Sequence, residues 1–562
     1  MSAPSTPTPR SGGRILVDAL KVHGVDHAFC VPGESFLPAL DALYEARDAI
    51  RTVICRQEGA AAHMAEAYGK LTGRPGVCLV TRGPGATNAS IGVHTASQDS
   101  TPLVLLVGQV GTGQLGREAW QEIDVRTMFG AMAKWATQVD HIERMPEIIG
   151  RAFHVAVSGR PGPVVVALPE DVLYREAEVA DTAPYRRVQP NPAPADLARL
   201  QALLAQARRP LAILGGGGWN AEGCAGIRAF AEAFRLPVCT AFRRQDLFDN
   251  THPLYAGDLG VGVSPALARR VREADLLIAI GARLGETTTS GYTLLGVPRP
   301  AATLVHVHQD PAELGKVYEA DLAINAGLPE FAQAAAALAP ASAPAWRDWS
   351  DALQAEYADT LAPGPMPGPV DLGQVFTQMR RALPADAIVT NGAGNYTGWL
   401  HRFHQYRGLR TQLAPASGVM GYGMPAACAA ALLHPGRKVV CVAGDGCFLM
   451  NGQELATVKQ YRLPIVFVVV NNGMYGSIRM HQELHYPGRV FGTDLENPDF
   501  AALAAAYGVD GQVVERTEDF APAFERALAA GRAALIELRT DPEAITTRAT
   551  LTALRDKAMR GR

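Results

Sequence analysis

The chain repeats one pattern of apolar and polar positions along most of its length. A short run of mostly Val, Ile and Leu is followed by a turn with Gly or Pro and then by an Ala-rich helical segment. Continuous apolar runs are typical of parallel strands that helices cover on both faces. The pattern predicts an α/β protein of doubly wound parallel sheets, with strands at 28–31, 77–80, 103–107, 164–168, 211–214, 276–280, 304–307, 387–390, 439–442, 465–470 and 534–538.

Two Pro-rich stretches interrupt this pattern and predict domain boundaries. Residues 181–196 contain four prolines, and residues 340–369 are rich in Ala and Pro around one candidate helix at 346–357. A chain of 562 residues has the length of about three or four domains. We therefore expect a disordered tail at 1–12, without the apolar core of a signal peptide, and three domains at 13–180, 196–340 and 370–545.

Composition and charge exclude several classes of protein. Hydrophobic residues make up 48% of the chain and charged residues 19%, which is typical of a globular protein and not of a disordered one. The net charge is −3 without a basic stripe, so we expect no nucleic-acid partner. The longest apolar runs have the length of strands, so we expect no membrane partner. Eight scattered cysteines without a Cys-x-x-Cys pair predict reduced thiols and a cytoplasmic location.

Two predicted strands end in polar turns that are suited to a metal and a phosphate. Gly444, Asp445 and Gly446 follow strand 439–442, and Asn472 follows strand 465–470. Ligands of parallel sheets bind at the carboxyl ends of the strands, and glycine lets a backbone approach an anion closely. Carboxylate and amide oxygens suit Mg²⁺. Either turn alone is typical of ordinary structure, but the pair at this spacing predicts a site for Mg²⁺ and a diphosphate.

The Gly-Asp-Gly turn, followed some two dozen residues later by Asn-Asn, resembles the signature of the thiamine diphosphate-dependent enzymes. The resemblance implies that the three domains are pyrimidine-binding, central Rossmann-like and diphosphate-binding. It also implies that Asp445, Asn472 and the main-chain carbonyl of Met474 bind Mg²⁺. The other cofactor-binding residues that it implies are Glu58, Gly392, Gly418, Met420, Gly444, Gly446, Cys447, Tyr475 and Gly476.

Two residues of the first domain are the candidate catalytic residues. Glu58 lies in the first turn of a predicted helix at 56–71, where an acidic side chain also has an ordinary structural explanation. The family has a Glu on such a helix that exchanges a proton with the cofactor, and the resemblance assigns this role to Glu58. Gln121 corresponds to a polar side chain that faces the reacting carbonyl, with a solvated loop residue as the alternative. Met420 corresponds to the apolar residue that holds the cofactor bent, with core packing as the alternative.

Longer motifs resemble the acetolactate synthase branch of the family. They lie at 69–78, 81–88, 418–427 and 451–457. The resemblance implies a transferase that decarboxylates a 2-keto acid and ligates the product to a second carbonyl, in a homodimer or homotetramer with its active site at the subunit interface. Two alternatives stay open: a decarboxylase or lyase that acts on an aryl keto acid or on a 2-hydroxyacyl-CoA or oxalyl-CoA, and a non-catalytic binding protein on the same fold.

The chain also departs from the acetolactate synthase pattern. His481 stands where the synthase usually has a Trp, and residues 391–399 lack the usual Gln-His. Residues 281–283 are Gly-Ala-Arg, but the acidic residue and Arg associated with FAD do not follow. The glycine run at 215–218 is a weak signal for a dinucleotide. The sequence therefore leaves FAD open as a further cofactor.

Overall fold

We describe a computed structural model that covers residues 8–340 and 342–561 of the chain. The contacts divide it after Val188 into two compact units. Most of the predicted tail, residues 1–7, lies outside the described residues. The tail prediction was too long at its other end, because Arg10–Ser11 form a strand and a helix begins at Gly12. Arg10 is fixed there by an ion pair with Asp18 at 2.8 Å.

The first unit is built on one parallel sheet. Its elements are β1 (Arg10–Ser11), α1 (Gly12–Val22), β2 (His27–Cys30), α2 (Leu37–Glu45), β3 (Arg51–Ile54), α3 (Glu58–Thr72), β4 (Gly76–Val80), α4 (Gly83–Asp99), β5 (Leu103–Gln109), α5 (Val125–Phe129), β6 (Trp135–Gln138), α6 (Met145–Val157), β7 (Pro163–Pro169), α7 (Glu170–Tyr174) and β8 (Glu176–Ala177). The sheet has the order β3-β2-β4-β5-β7-β6, and β1 and β8 form a separate antiparallel pair.

The second unit begins with another parallel sheet. Its elements are α8 (Pro194–Gln206), β9 (Pro210–Leu214), α9 (Ala221–Phe234), β10 (Val238–Thr240), β11 (Tyr255–Asp258), α10 (Pro265–Glu273), β12 (Leu276–Ile280), β13 (Thr303–His308), β14 (Leu322–Asn325), α11 (Leu328–Ala336) and α12 (Arg347–Thr360). The strand order is β11-β10-β9-β12-β13-β14. Helix α12 lies within the stretch predicted as a linker, and its Trp349 and Leu353 are buried in the core of this sheet.

A third parallel sheet completes the second unit. Its elements are α13 (Leu372–Ala382), β15 (Ile388–Asn391), α14 (Tyr396–Phe403), β16 (Gln412–Leu413), α15 (Gly423–Leu433), β17 (Val439–Gly444), α16 (Asp445–Leu449), α17 (Leu455–Tyr461), β18 (Ile465–Asn471), α18 (Gly476–His485), α19 (Phe500–Ala506), β19 (Asp510–Val514), α20 (Thr517–Ala529), β20 (Ala534–Arg539) and α21 (Leu551–Arg560). The order is β16-β15-β17-β18-β20-β19.

The predicted fold class is confirmed. Each of the three sheets has six parallel strands with helices between them, and all eleven predicted strands occur close to their predicted bounds. Over residues 8–340 and 342–561, the helices lack the length and apolar character that crossing a membrane requires.

Close backbone packing positions the two predicted parts of the site. Strands β17 and β18 pair in parallel with Gly444 opposite Val470, so the turns that follow them lie side by side. In the first unit, a Cβ at Gly76 would collide with the main chain of α3 at Ala65. Glycine at this position therefore lets β4 lie directly against the helix that begins with Glu58.

Candidate functional site

A cleft lies at the carboxyl edge of the third sheet, where the resemblance predicts the cofactor. It encloses about 930 Å³ of empty space. Strand ends, the N-terminal ends of α14, α16 and α18, and the residues after β20 form its wall. The predicted cofactor-binding residues that line this cleft are Gly418, Met420, Gly444, Asp445, Gly446, Cys447, Asn472, Met474, Tyr475 and Gly476.

Asp445 is a buried carboxylate with an unusual set of partners. Its Oδ1 accepts the Gly446 N–H at 2.8 Å. Its Oδ2 accepts the Gly473 N–H at 2.9 Å and an N–H of the Asn497 side chain at 2.8 Å. Only 3% of Asp445 is exposed, and no Lys, Arg or His of the described chain forms an ion pair with it. Burial raises the pKa of Asp445, although the three N–H donors favour its charged form.

Asn472 and Met474 lie in the adjacent turn. The Asn472 Oδ1 accepts the Met474 N–H at 3.3 Å, and the Met474 carbonyl accepts the Gly476 N–H at 2.9 Å. An antiparallel contact holds this turn in place, because the Tyr475 N–H donates to the Thr493 carbonyl at 2.8 Å. The turn therefore presents an amide oxygen and a carbonyl oxygen beside Asp445.

These donors fit magnesium better than a transition metal. The set contains a carboxylate, an amide oxygen and a main-chain carbonyl, all of which are hard oxygen ligands. No group of three His, Cys, Asp or Glu side chains suited to a metal occurs in the part of the chain that the structure describes. A buried carboxylate without a basic partner is also stabilised by a cation, since burial of an unpaired charge is costly.

The bottom of the cleft is closely packed around Cys447. The Gly421 N–H donates to the Cys447 sulfur at 3.2 Å, and the Tyr396 hydroxyl lies 3.5 Å from it. The same hydroxyl accepts the Gly392 N–H at 3.1 Å. A Cβ at Gly392 would collide with the sulfur, so this predicted cofactor residue lies behind Cys447 and supports the turn.

Met420 and Gly418 form the opposite wall of the cleft. Both belong to the loop before α15, and Met420 is half-buried. Gly418 has a φ of +68°, and a Cβ there would meet open space. The glycine is therefore required by the backbone conformation and also leaves the space beside Met420 unfilled.

A pair of side-chain hydrogen bonds at the edge of the cleft was not predicted from the sequence. An N–H of the Asn395 side chain donates to the Ile545 carbonyl at 2.9 Å, and its oxygen accepts the Ser477 hydroxyl at 2.7 Å. This bridge ties the start of α14 to the start of α18 and to the segment after β20. Asn395 lies within residues 391–399, which lack the usual Gln-His, and this departure was the one available signal. Asn497 had no comparable signal in the sequence.

Helix α18 is locked to the C-terminal helix by a buried ion pair. Both carboxylate oxygens of Glu483 accept N–H groups of Arg555, at 2.7 and 2.8 Å. These contacts lower the pKa of Glu483 to about 2. His481, which replaces the usual Trp, lies on the same helix, is exposed and stacks on His485.

In the first unit, Glu58 is the first residue of α3 and is partly exposed. An N–H of the Asn88 side chain donates to its Oε2 at 2.9 Å. The Gln57 side chain caps the helix by accepting the Ala60 N–H at 2.9 Å, so Glu58 is not needed as the cap. Ile91, which packs beside Gly59, is 43% exposed.

Gln121 lies on a strained loop that also contacts α4. Its φ is +64°, which is uncommon for a residue other than glycine. Its carbonyl accepts the Gly83 N–H at 2.8 Å, at the start of α4. The structure therefore fixes the backbone of Gln121, whereas the role of its side chain stays a prediction.

The glycine run of the central domain is packed by the chain itself. A Cβ at Gly216 would collide with the Gly281 carbonyl, so these glycines allow two backbone turns to touch. The Gln309 side chain is buried and donates to the Gly217 carbonyl at 3.0 Å. These contacts do not favour a dinucleotide at 215–218.

Other groups that commonly bind a dinucleotide are also paired within this domain. Helix α9 is capped by Asn220, whose side-chain oxygen accepts the Gly223 N–H at 2.7 Å. Arg283 forms an ion pair with the buried Glu313 at 3.4 Å. The residues present therefore do not fit FAD.

Comparison with known proteins gives a match in each of the three domains. Residues 10–128, 197–335 and 392–538 match the N-terminal TPP binding domain, the central domain and the C-terminal TPP binding domain of the thiamine pyrophosphate enzymes. The acetolactate synthase large subunit of Parasynechococcus marenigrum is 38% identical over 90% of this chain and 84% of its own length. The acetolactate synthase isozyme 2 large subunit of Escherichia coli is 34% identical over 92% of this chain and 93% of its own length. The chain therefore belongs to the thiamine pyrophosphate enzyme family.

Proposed function

We propose that this protein decarboxylates a 2-keto acid and joins the remaining acyl group to a second carbonyl compound, as an acetolactate synthase-like transferase. Its relatives carry the name acetolactate synthase, and all three domains match the family. The observation that carries the proposal is that Asp445, Asn472 and Met474 line one cleft at the ends of adjacent strands.

Asp445, Asn472 and the Met474 carbonyl would bind Mg²⁺ against the diphosphate of the cofactor. The support for this assignment is the hard-oxygen donor set and the missing basic partner of Asp445. Gly444 and Gly446 line the cleft and are packed against the rings of Tyr396 and Tyr475, and Met420 would support the cofactor from the opposite side. Thiamine diphosphate, when bound, supplies the carbon nucleophile for the keto acid and accepts the electron pair left when CO₂ departs.

Glu58 would hold and transfer the proton that activates the cofactor. Asn88 occupies its Oε2, which orients the carboxyl group and leaves Oε1 available for proton exchange. Gln121 would donate a hydrogen bond to the reacting carbonyl, and its fixed backbone would limit the positions that its amide can reach. The apolar side chains of the cleft would exclude water from the reaction.

We further propose a homodimer or homotetramer in which Glu58 of one copy acts at the cofactor of another. The support for this proposal is that the Glu58 side chain is partly exposed at the start of α3, where it is accessible to a second copy. A cytoplasmic location is proposed because none of the eight cysteines forms a disulfide, and cell fractionation would test it.

The product formed from pyruvate alone tests the proposed reaction. We expect acetolactate, because the acyl group left after decarboxylation would be transferred to a second pyruvate. The measurement is mass spectrometry of the products with thiamine diphosphate and Mg²⁺ present. Free acetaldehyde as the sole product would instead establish a decarboxylase, and a panel of keto acids without turnover would favour a binding protein.

Replacing Asp445 by Ala is expected to weaken Mg²⁺-dependent cofactor binding by about a hundredfold or more, because it removes the charged ligand. Calorimetric titration of thiamine diphosphate at fixed Mg²⁺ measures this change. The exposed Asp556→Ala change on α21 is the matched control and should leave the affinity as it is. Equal affinities for the two variants would show that Asp445 is not a metal ligand.

Replacing Glu58 by Gln is expected to lower turnover by about 10²–10⁴-fold while the cofactor still binds, since only proton transfer is lost. CO₂ release and cofactor fluorescence measure the two effects separately, with the exposed Glu143→Gln as control. A variant with full turnover would remove Glu58 from the mechanism.

Co-expression of Glu58→Gln and Asp445→Ala chains tests whether the site is shared between copies. A mixed oligomer would contain some sites with both native residues, so its activity should exceed that of either variant alone. A site contained within one chain would give no recovery, and an active monomer in sedimentation would contradict the shared site directly.

We propose that the central domain binds no flavin, because its glycine turns, helix cap and Arg283 are already paired. The purified protein is expected to lack flavin absorbance near 450 nm, and added FAD should leave its activity unchanged. Retention of FAD through dialysis would show that these internal contacts open.

A further inference from the structure

A second cavity of the third sheet lies on the side opposite the cofactor cleft. It is found at the amino edge, where α13 ends before β15 and where the chain leaves α14. It contains about 630 Å³ of empty space, part of which is open to solvent. Arg380, Arg381, His404 and Arg407 line it, together with Thr251 from the neighbouring sheet of the same unit. None of these residues has a role in the proposed reaction.

The positive charge of this cavity is not balanced by nearby carboxylates. Among the described residues, Arg380 and Arg381 form no ion pair, and the one carboxylate near Arg407 is Asp249, at 4.0 Å. Arg380 is half-buried, and its Nη1 is shielded from solvent without a hydrogen-bond partner. A charged donor is stabilised by an acceptor, and the Arg380 side chain lines the cavity in which an anion would supply one.

His404 adds a polar side chain to the wall of the cavity. Its side chain is 94% buried, lines the cavity, and has an Nδ1 without a hydrogen-bond partner among the described residues. Burial and the charge of Arg380 lower the pKa of His404 to about 3, so the ring is neutral at neutral pH. A neutral imidazole can donate one hydrogen bond to a ligand oxygen without adding charge.

We infer that this cavity binds a small molecule that carries a phosphate group. Guanidinium groups present N–H donors in a planar fork that matches the oxygens of a phosphate, and several of them together favour a multivalent anion. The ligand would lie against the side chains of Arg380 and His404, which line the cavity, while the exposed Arg381 and Arg407 would contact it at the opening. The cavity volume leaves room for an organic part beyond the phosphate.

Helix α14 connects this cavity to the cofactor cleft. Helix α14 ends at the cavity and begins at the cleft, where Asn395 and Tyr396 form part of the wall. The helix has eight residues and so spans about 12 Å.

Inorganic phosphate is the probe that tests the inference. The holoenzyme is saturated with thiamine diphosphate and Mg²⁺, so that the diphosphate site is filled, and is then titrated calorimetrically with phosphate at constant ionic strength. We expect one phosphate site per chain. Arg380→Gln should weaken it about tenfold or more, since a lost charge-assisted pair contributes on that scale.

The double variant Arg381→Gln with Arg407→Gln, at two exposed positions, should also weaken phosphate binding. It replaces Arg380→Gln in the test if that variant does not fold. Arg228→Gln on the outer face of α9 is the matched control and should bind phosphate as the native chain does. Absence of phosphate binding by the native holoenzyme, or equal binding by the double variant, would overturn the inference. Turnover of keto acids is measured separately, so failure here is distinct from failure of the proposed reaction.

Discussion

The pairing of β17 with β18 is the constraint on which the candidate site depends. Parallel strands end at the same edge of a sheet, so the residues after Gly444 and Val470 must lie next to each other. Asp445 is buried at this edge without a basic partner, and three N–H donors hold its oxygens in place. A carboxylate kept in this way is costly without a cation, and the turn after the adjacent strand carries an amide oxygen and a main-chain carbonyl oxygen of its own.

Most buried central strands could be predicted from the sequence, with the three-residue β10 as the exception, whereas edge strands could not. Strands β4, β5, β17 and β18 are apolar on both faces because helices cover them, and their runs of Val, Ile and Leu are unmistakable. Strand β19 lies at an edge and is mostly exposed or half-buried. Its sequence is partly polar and therefore lacks the continuous apolar run that predicts a strand. The two residues of β16 are too few to give any periodic signal.

The same division applies to the site. The glycine and asparagine turns could be predicted because each is a local motif that follows a recognisable strand. Asn497 could not, because it reaches Asp445 from an irregular segment 52 residues further along the chain. The bridge from Asn395 to Ser477 and Ile545 likewise joins three distant segments, and their contact follows from the tertiary packing and not from local patterns.

The glycine run at 215–218 shows why a short motif needs its surroundings. The sequence left a dinucleotide open there, since glycines permit both a close ligand and a close backbone. In the structure these glycines allow a close approach of backbone and not of a ligand. The Gly281 turn packs against Gly216, and the Gln309 side chain donates a hydrogen bond to the Gly217 carbonyl. In the cofactor cleft, by contrast, a Cβ at Gly418 would meet open space. The two glycine turns therefore differ in what fills the missing side-chain volume: a second backbone turn at Gly216, and no protein atom at Gly418.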